Sequence, residues 1–398
     1  MDRVVFHVDV NSAFLSWEAA RRVARGEQDI RLIPSAVGGD PKSRTSVITA
    51  KSIPAKKYGV KTGEAVSSAL RKCPQLFLVR SDFKLYRRCS AAFAAICREF
   101  TPVVQQFSID ECFLDMSGME KLYPDPVAAA HSLRNRIRDE LGFTVNIGVA
   151  ENKLLAKMAS DFEKPDKVHT LWRDEIPEKL WPLPVGELFM VGRQSAEKLR
   201  KAYIMTIGDL ASRNMESIQN ILGEKGGEYA WRAANGFDDS PVEDGGDPAK
   251  GFSHSVTLEN DVRSAEDAKN ILLALADQAS RRMRADGARA YCVSVSIRDN
   301  NFKNKSHQRK LPSATDISGE IHAVACELFD ELWDGHTPLR LLNVALSDIS
   351  REDSEQLSLI PGENEDKERS RRLDRTVDAI LEKYGSGAIT RASLKEQG

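Results

Sequence analysis

Cysteine is sparse and scattered: Cys73, Cys89, Cys97, Cys112, Cys292 and Cys326 form no C-x-x-C pair and no Cys/His cluster. That argues against a disulfide framework or a zinc site and fits a reducing, cytoplasmic setting. No stretch approaches the ~18 apolar residues that a membrane-spanning helix needs, so no membrane association is expected. The amino terminus, Met1 to Asp9, enters a strand pattern directly and has an early acid, which reads as no signal peptide. A basic excess is missing too. The net charge is −2, so any nucleic-acid role must come from local clustering rather than from the total. One such cluster exists: between Arg281 and Lys310, nine Lys/Arg stand against two acids. Alone, a run of this kind is more often a solvated face than a binding site.

What is present is an ordinary globular composition, 41% hydrophobic and 29% charged over 398 residues, enough for about two to four domains. The stretch Phe107-Ser108-Ile109-Asp110-Glu111-Cys112-Phe113-Leu114-Asp115-Met116 stands out. It reads as two apolar arms, Phe107–Ile109 and Cys112–Met116, with adjacent carboxylates at the bend. Tight hairpins favour pairs that tolerate positive φ, such as Asn-Gly, and Asp110-Glu111 is not one. Neighbouring strand residues point to opposite faces, so two adjacent acids serve one site only if the backbone turns between them. An acid pair in a turn is by itself usually just solvated. A third acid, Asp9, ends the first strand, with Ser12 a plausible N-cap for a helix to about residue 24.

Strand, helix (85–100), hairpin, helix (126–141) and strand (144–149) predict an antiparallel sheet with helices on one face. In such a sheet Asp9 can neighbour Asp110 and Glu111. Three converging carboxylates stay ionised only beside cations, and oxygen ligands without His or Cys select Mg²⁺. Asp115 falls on the opposite strand face from Asp110 and reads as structural. After Lys164-Pro165, short helices with glycine turns follow (Val191-Gly192-Arg193, Thr206-Ile207-Gly208). A glycine turn entering a helix suits a phosphate or simple packing equally well. Residues 236–250 read as a linker. Residues 251–349 form an α/β module whose second and third strands carry the basic cluster. The tail ends in a charged amphipathic helix with Leu373, Val377, Ile380, Leu381 and Tyr384 on one side.

Over nearly its full length the chain resembles the Y-family (translesion) DNA polymerases, of the bacterial DNA polymerase IV type. The most specific motif is Ser108-Ile109-Asp110-Glu111-Cys112-Phe113-Leu114-Asp115, similar to the family's S-I-D-E-x-x-x-D hairpin. Val8-Asp9-Val10-Asn11-Ser12-Ala13-Phe14, Phe162-Glu163-Lys164-Pro165, the helix-hairpin-helix stretch 183–210, Ser253-His254 and Leu339-Arg340-Leu341-Leu342-Asn343-Val344 follow in the family's order.

The resemblance implies an α+β multidomain right-hand polymerase. Its parts would be a ferredoxin-like palm (1–25 and 78–166), small fingers (26–77), a helical helix-hairpin-helix thumb (167–235), a linker (236–250), an α/β little finger (251–350) and a tail (351–398). It implies a monomeric, error-prone, template-directed enzyme that extends a primer past lesions with dNTPs and has no proofreading. Two Mg²⁺ ions would be held by Asp9, Asp110, Glu111 and the Val10 carbonyl. It further implies Phe14 as a steric gate against the 2′-hydroxyl and Lys56 and Lys164 on the triphosphate. Primer–template DNA would meet Gly192, Ser195, Ser253, His254, Arg298, Lys303, Lys305, Arg309 and Arg340. Without the resemblance, Phe14 reads as core packing.

Two departures stand out. Ile53-Pro54-Ala55-Lys56 replaces the family's Y-E-A-R run, which removes a hydroxyl donor and a bidentate guanidinium and leaves Lys51 or Arg44 as substitutes. Met190 stands where the family usually has Gly. Gln356-Leu357-Ser358-Leu359-Ile360 resembles the peptide that docks polymerases on the sliding clamp, through Gln356, Leu357, Leu359 and Ile360. Such a tether raises effective concentration at the primer end. A catalytically silent DNA- and clamp-binding accessory protein of the same fold is the alternative, and a template-free nucleotidyl cyclase a third. The retained acids speak against the first, the thumb and little finger against the second.

Overall fold

The computed structural model describes residues 3–246, 248–352, 363–385 and 387–391. The clamp-type peptide at Gln356–Ile360 lies outside them. The chain divides into two units, residues 1–246 and 247–398.

In the first unit, β1 (Val5–Val10) leads into α1 (Ala13–Val23). Strands β2 (Ser35–Gly38) and β3 (Ile48–Lys51), helices α2 (Ile53–Lys57) and α3 (Val66–Lys72), and β4 (Phe77–Arg80) follow. Then come α4 (Phe83–Phe100), β5 (Val104–Gln106), β6 (Glu111–Asp115), α5 (Pro126–Leu141), β7 (Val145–Ala150), α6 (Lys153–Ser160) and β8 (Val168–Thr170). The main sheet has the order β5-β6-β1-β7-β8. All its pairs are antiparallel except β7 with β8. A second sheet, β3-β2-β4, encloses its own small core around Ala36, Ile48, Val66 and Cys73.

Strand β1 is central and covered on both sides, unlike the one-faced sheet expected from the sequence. Phe6, Val8 and Val10 pack with Trp17, Phe93 and Leu133 on the side of α1, α4 and α5. Val5, Phe113 and Ala150 pack with Leu154, Leu155 and Met158 of α6 on the other. The close approach of α6 depends on Gly148 of β7, where a Cβ would lie 1.9 Å from the Ala156 carbonyl oxygen. Any side chain there would push α6 off the sheet.

The short helices α7 (Arg193–Lys201), α8 (Ile207–Ala211), α9 (Met215–Leu222) and α10 (Glu224–Ala234) complete this unit. The segment expected to be a plain linker is partly docked. Asn152 Nδ2 donates to the Gly236 carbonyl and Leu154 N to Asp238 Oδ2, and Val242 is buried. The Leu154 N–H at the start of α6, which has no partner within the helix, thus finds its acceptor in this segment, while Asn152 Oδ1 accepts from Leu155 N.

The second unit comprises β9 (Gly251–Val262), α11 (Ala265–Ala285), β10 (Arg289–Asp299), β11 (Asn304–Thr315), α12 (Ser318–Leu332), β12 (Leu339–Ser350) and α13 (Glu363–Tyr384). Its antiparallel sheet has the order β11-β10-β12-β9, with α11 and α12 against one face. Helix α13 departs from the amphipathic expectation. Its buried positions include Arg371 and Asp374, whereas Leu373 and Tyr384 are 61% and 67% exposed. Arg371 pairs with Asp316, and Arg284 pairs with Asp374 and Asp378. Of the expected apolar stripe only Val377, Ile380 and Leu381 are half-buried, and these ion pairs add to their hold on the helix.

Candidate active site

The register of β1 on β6 sets Asp9 directly opposite Glu111. In an antiparallel pair, opposed side chains share a face, so the two carboxylates converge on the side of α6. The bend differs from the expected one. Phe107 to Asp110 make the connection, and Phe107 N and Ser108 N both donate to the Glu111 carbonyl. Glu111 already begins the strand. Asp110 is fastened to β1 through its own carbonyl, which accepts from Val10 N at 3.0 Å. Its carboxylate Oδ1 accepts from Ser108 Oγ at 2.6 Å. Asp115 Oδ1 is engaged by Ser117 N, the structural role expected of it.

Two ammonium groups stand among the carboxylates. Lys157 Nζ lies 2.5 Å from Glu111 Oε1 and 3.4 Å from Asp9 Oδ2. Lys164 Nζ lies 2.9 Å from Asp9 Oδ2 and 2.8 Å from Asp161 Oδ1. Lys157 also reaches Asp161 Oδ2 at 3.3 Å. Burial works to lower the pKa of both lysines, but Glu111 and Asp9 for Lys157, and Asp9 and Asp161 for Lys164, raise it overall. Burial pushes the Asp9 carboxyl up against the pull of Lys164 and Lys157. An ammonium stands 2.9 Å from its Oδ2. His7, beneath this group, is buried with Nδ1 2.8 Å from Ser160 Oγ. Burial, then Lys157 and Lys164, hold its pKa well below the usual value, so it is neutral.

Among the described residues no three Asp, Glu, His or Cys side chains form a ready metal cluster. The donor set nevertheless fits a hard divalent cation. It offers carboxylate oxygens only, and positive charge already resides between Asp9 and Glu111.

Near the start of α1, the half-buried Phe14 ring stacks on Tyr86 at 4.6 Å and 15°, and Trp17 and Phe83 lie at 5.8 and 6.0 Å. Tyr86 is fully buried, its hydroxyl 3.2 Å from Glu18 Oε1.

Residues 8–161 match the impB/mucB/samB family, residues 249–359 that family's C-terminal domain, and residues 187–238 the DNA polymerase-iota thumb domain. DNA polymerase IV of Clostridium acetobutylicum is 44% identical over 407 residues, covering 100% of this chain and 99% of that protein. The chain belongs to the Y family of DNA polymerases. DNA polymerase IV of Acetivibrio thermocellus is 35% identical over 397 residues, 99% of this chain and 98% of the relative. A Y-family DNA polymerase chimera of known structure superposes with a TM-score of 0.78 at 22% identity, over 88% of this chain and 100% of that one. The likeness bears on the fold. Family membership makes the chain a DNA-directed DNA polymerase of the translesion class, and polymerases of this family work with divalent metal ions.

The polymerase's remaining expected residues are spread out. Lys56 is exposed on the five-residue α2, next to the 56%-exposed Ile53. Lys51 Nζ donates to Thr62 Oγ1. Gly192 caps α7, a Cβ there would meet nothing, and Ser195 is half-buried. Met190 is left-handed at φ 64° and 72% exposed, a conformation that favours glycine and costs a Met about 1–2 kcal/mol.

In the second unit the strands divide the basic cluster. Ser253 pairs with Ala345, and Arg298 with Leu341 and Asn304. These lie on the face without helices. His254 pairs with Val344, Lys305 with Ile297 and Arg309 with Val293, which puts them on the helix-covered face. Arg309 is bonded there to Glu327 and Glu331. Lys303 lies in the β10–β11 turn, its N–H donating to Asp299. The Arg340 guanidinium stacks over Phe302 at 4.9 Å. Within this unit the residues expected to contact DNA therefore do not share one sheet face.

Sequence reasoning missed Lys157, His7 and Tyr86. Lys157 had a signal: it is the lone charge in Leu154-Leu155-Ala156-Lys157-Met158-Ala159. A single charge inside an apolar helical run implies a buried partner.

Proposed function

We infer that this polymerase joins deoxynucleotides to a primer 3′-hydroxyl at the end of β1, with Asp9, Asp110, Glu111 and the Val10 carbonyl as ligands of two Mg²⁺ ions. The observation that carries this reading is the pairing of Asp9 with Glu111 across the two central strands, with cationic nitrogen between them. Bound Mg²⁺ would lower the pKa of the primer hydroxyl and neutralise charge on the pyrophosphate leaving group.

The chain's own residues supply the rest. Lys164, 34% exposed at its side chain, is free enough to exchange Asp9 for a triphosphate oxygen. Lys56 faces solvent and adds a second positive charge from the fingers. Phe14, backed by Tyr86, presents a fixed ring against the sugar and excludes a 2′-hydroxyl by bulk.

Residues 1–25 and 78–166 would form the palm, 26–77 the fingers, 167–235 the thumb and 251–350 the little finger. DNA would be held mostly through phosphates by the α7 N-terminus at Gly192 and Ser195 and by the open sheet face with Ser253 and Arg298. Gln356-Leu357-Ser358-Leu359-Ile360 is the proposed tether to a sliding clamp. The proposed setting is the cytoplasm, and no helix among the described residues is long and apolar enough to cross a membrane.

The deciding experiment is primer extension with Mg²⁺ on undamaged and lesion-bearing templates, comparing the native protein with Asp110→Ala. Extension on both templates by the native protein, lost in the variant, is expected. Equal extension by the variant removes Asp110 from the site.

A further inference from the structure

Lys157 is set apart from the other lysines by where it comes from. Its side chain is 11% exposed and rises from the middle of α6. That helix lies so close to β7 that Gly148 has no room for a Cβ. The ammonium ends 2.5 Å from Glu111, 3.4 Å from Asp9 and 3.3 Å from Asp161. Lys164 shares Asp9 and Asp161 but comes from the segment after the helix and is 34% exposed at its side chain. Lys164 can therefore swing away, whereas the packing of its helix keeps Lys157 within reach of Glu111, Asp9 and Asp161.

We propose that Lys157 is a positioning residue, a resident cation that holds Asp9 and Glu111 together and competes with divalent metal for them. The inference rests on the reading of Asp9 and Glu111 as metal ligands. Without a cation, two carboxylates opposed across paired strands repel in a site shielded from water, where charge interactions are several times stronger than in bulk. The ammonium, in contact with both, offsets that repulsion in the metal-free protein. The same charge opposes an arriving dication, so metal uptake is weak until Lys157 yields part of its contact with Glu111. Asp161 is the acceptor that lets it yield, because it lies within reach of the same nitrogen. A free protein that binds metal weakly and gains affinity once triphosphate oxygens add negative charge is the functional consequence.

The test measures Mn²⁺ binding to the full chain, without DNA or nucleotide, by electron paramagnetic resonance. Lys157→Met keeps the length of the side chain and removes the charge. It should bind Mn²⁺ about tenfold more tightly than the native protein, while Lys157→Arg stays near native. Its melting temperature should fall without metal and recover on adding Mn²⁺ by more than the native protein's rises. Unchanged or weaker Mn²⁺ affinity in Lys157→Met overturns the proposal. If that variant does not fold, the native protein decides. Mn²⁺ should raise the rate at which a mild acylating reagent modifies Lys157, read by peptide mass spectrometry, and an unaltered rate overturns the proposal. Asp9→Asn separates the two readings. Native-like Mn²⁺ binding by it removes the metal assignment itself, whereas loss of binding alongside an unaltered Lys157→Met removes only the role of Lys157.

Discussion

The rings of Phe14 and Tyr86 are stacked at 4.6 Å with 15° between their planes. Tyr86 belongs to α4 and is fully buried, so the Phe14 ring leans on a packed helix and not on a loop. Phe14→Ala is expected to admit ribonucleotides with a loss of sugar discrimination of about 10–200-fold. Tyr86→Leu should show a smaller loss in the same direction, because it removes only the backing ring. Single-nucleotide incorporation with paired dNTP and rNTP measures both. Unchanged discrimination in Phe14→Ala would return that residue to the core.

Asp9→Asn is expected to lower the rate of nucleotide addition by about 100-fold or more without unfolding the protein, since the loss of one carboxylate leaves Lys157 paired with Glu111 and Asp161. Rapid-quench incorporation beside circular dichroism separates catalytic loss from misfolding. Activity within a few-fold of native would place the ligands elsewhere.

The attachment of α13 should be strongly mutable. Asp374 accepts from Ser318 N at 2.8 Å, which caps the start of α12, and pairs with the buried Arg284. Breaking one partner of a buried pair strands the other, at a cost of about 3–5 kcal/mol. Asp374→Ala and Arg284→Ala should each lower the melting point or the denaturant midpoint of the full chain, whereas Leu373→Ala, on the exposed side, should be nearly silent. A larger effect at Leu373 than at Asp374 would mean that the apolar stripe holds the helix after all.

Removal of Gln356–Ile360 is expected to abolish stimulation by the sliding clamp and to spare extension on a short template without it. The peptide lies apart from the acids at β1 and β6 in the sequence and adds only tethering. Clamp stimulation that survives the deletion would assign docking to another segment.

Much of the acid site was legible without coordinates. A strand-ending Asp9 and an ill-suited Asp110-Glu111 turn carry their meaning locally, because strand alternation and turn chemistry depend on near neighbours in the chain. The position of the turn was misjudged by a few residues. The two hydrogen bonds from Phe107 N and Ser108 N to the Glu111 carbonyl leave no trace in the sequence pattern.

The sequence by itself determined which residue types could act: hard oxygen ligands at Asp9, Asp110 and Glu111, and lysines near them for phosphate; it pointed to an apolar side of the tail helix and not to its buried Arg371 and Asp374. Only the tertiary structure decided which of them meet. The register of β1 on β6 opposes Asp9 to Glu111, and the space at Gly148 lets α6 bring Lys157 between them. The strand pairing of β10 and β11 turns Arg309 away from Arg298. These outcomes come from long-range packing, in which a missing Cβ in one strand sets the reach of a lysine in the next helix.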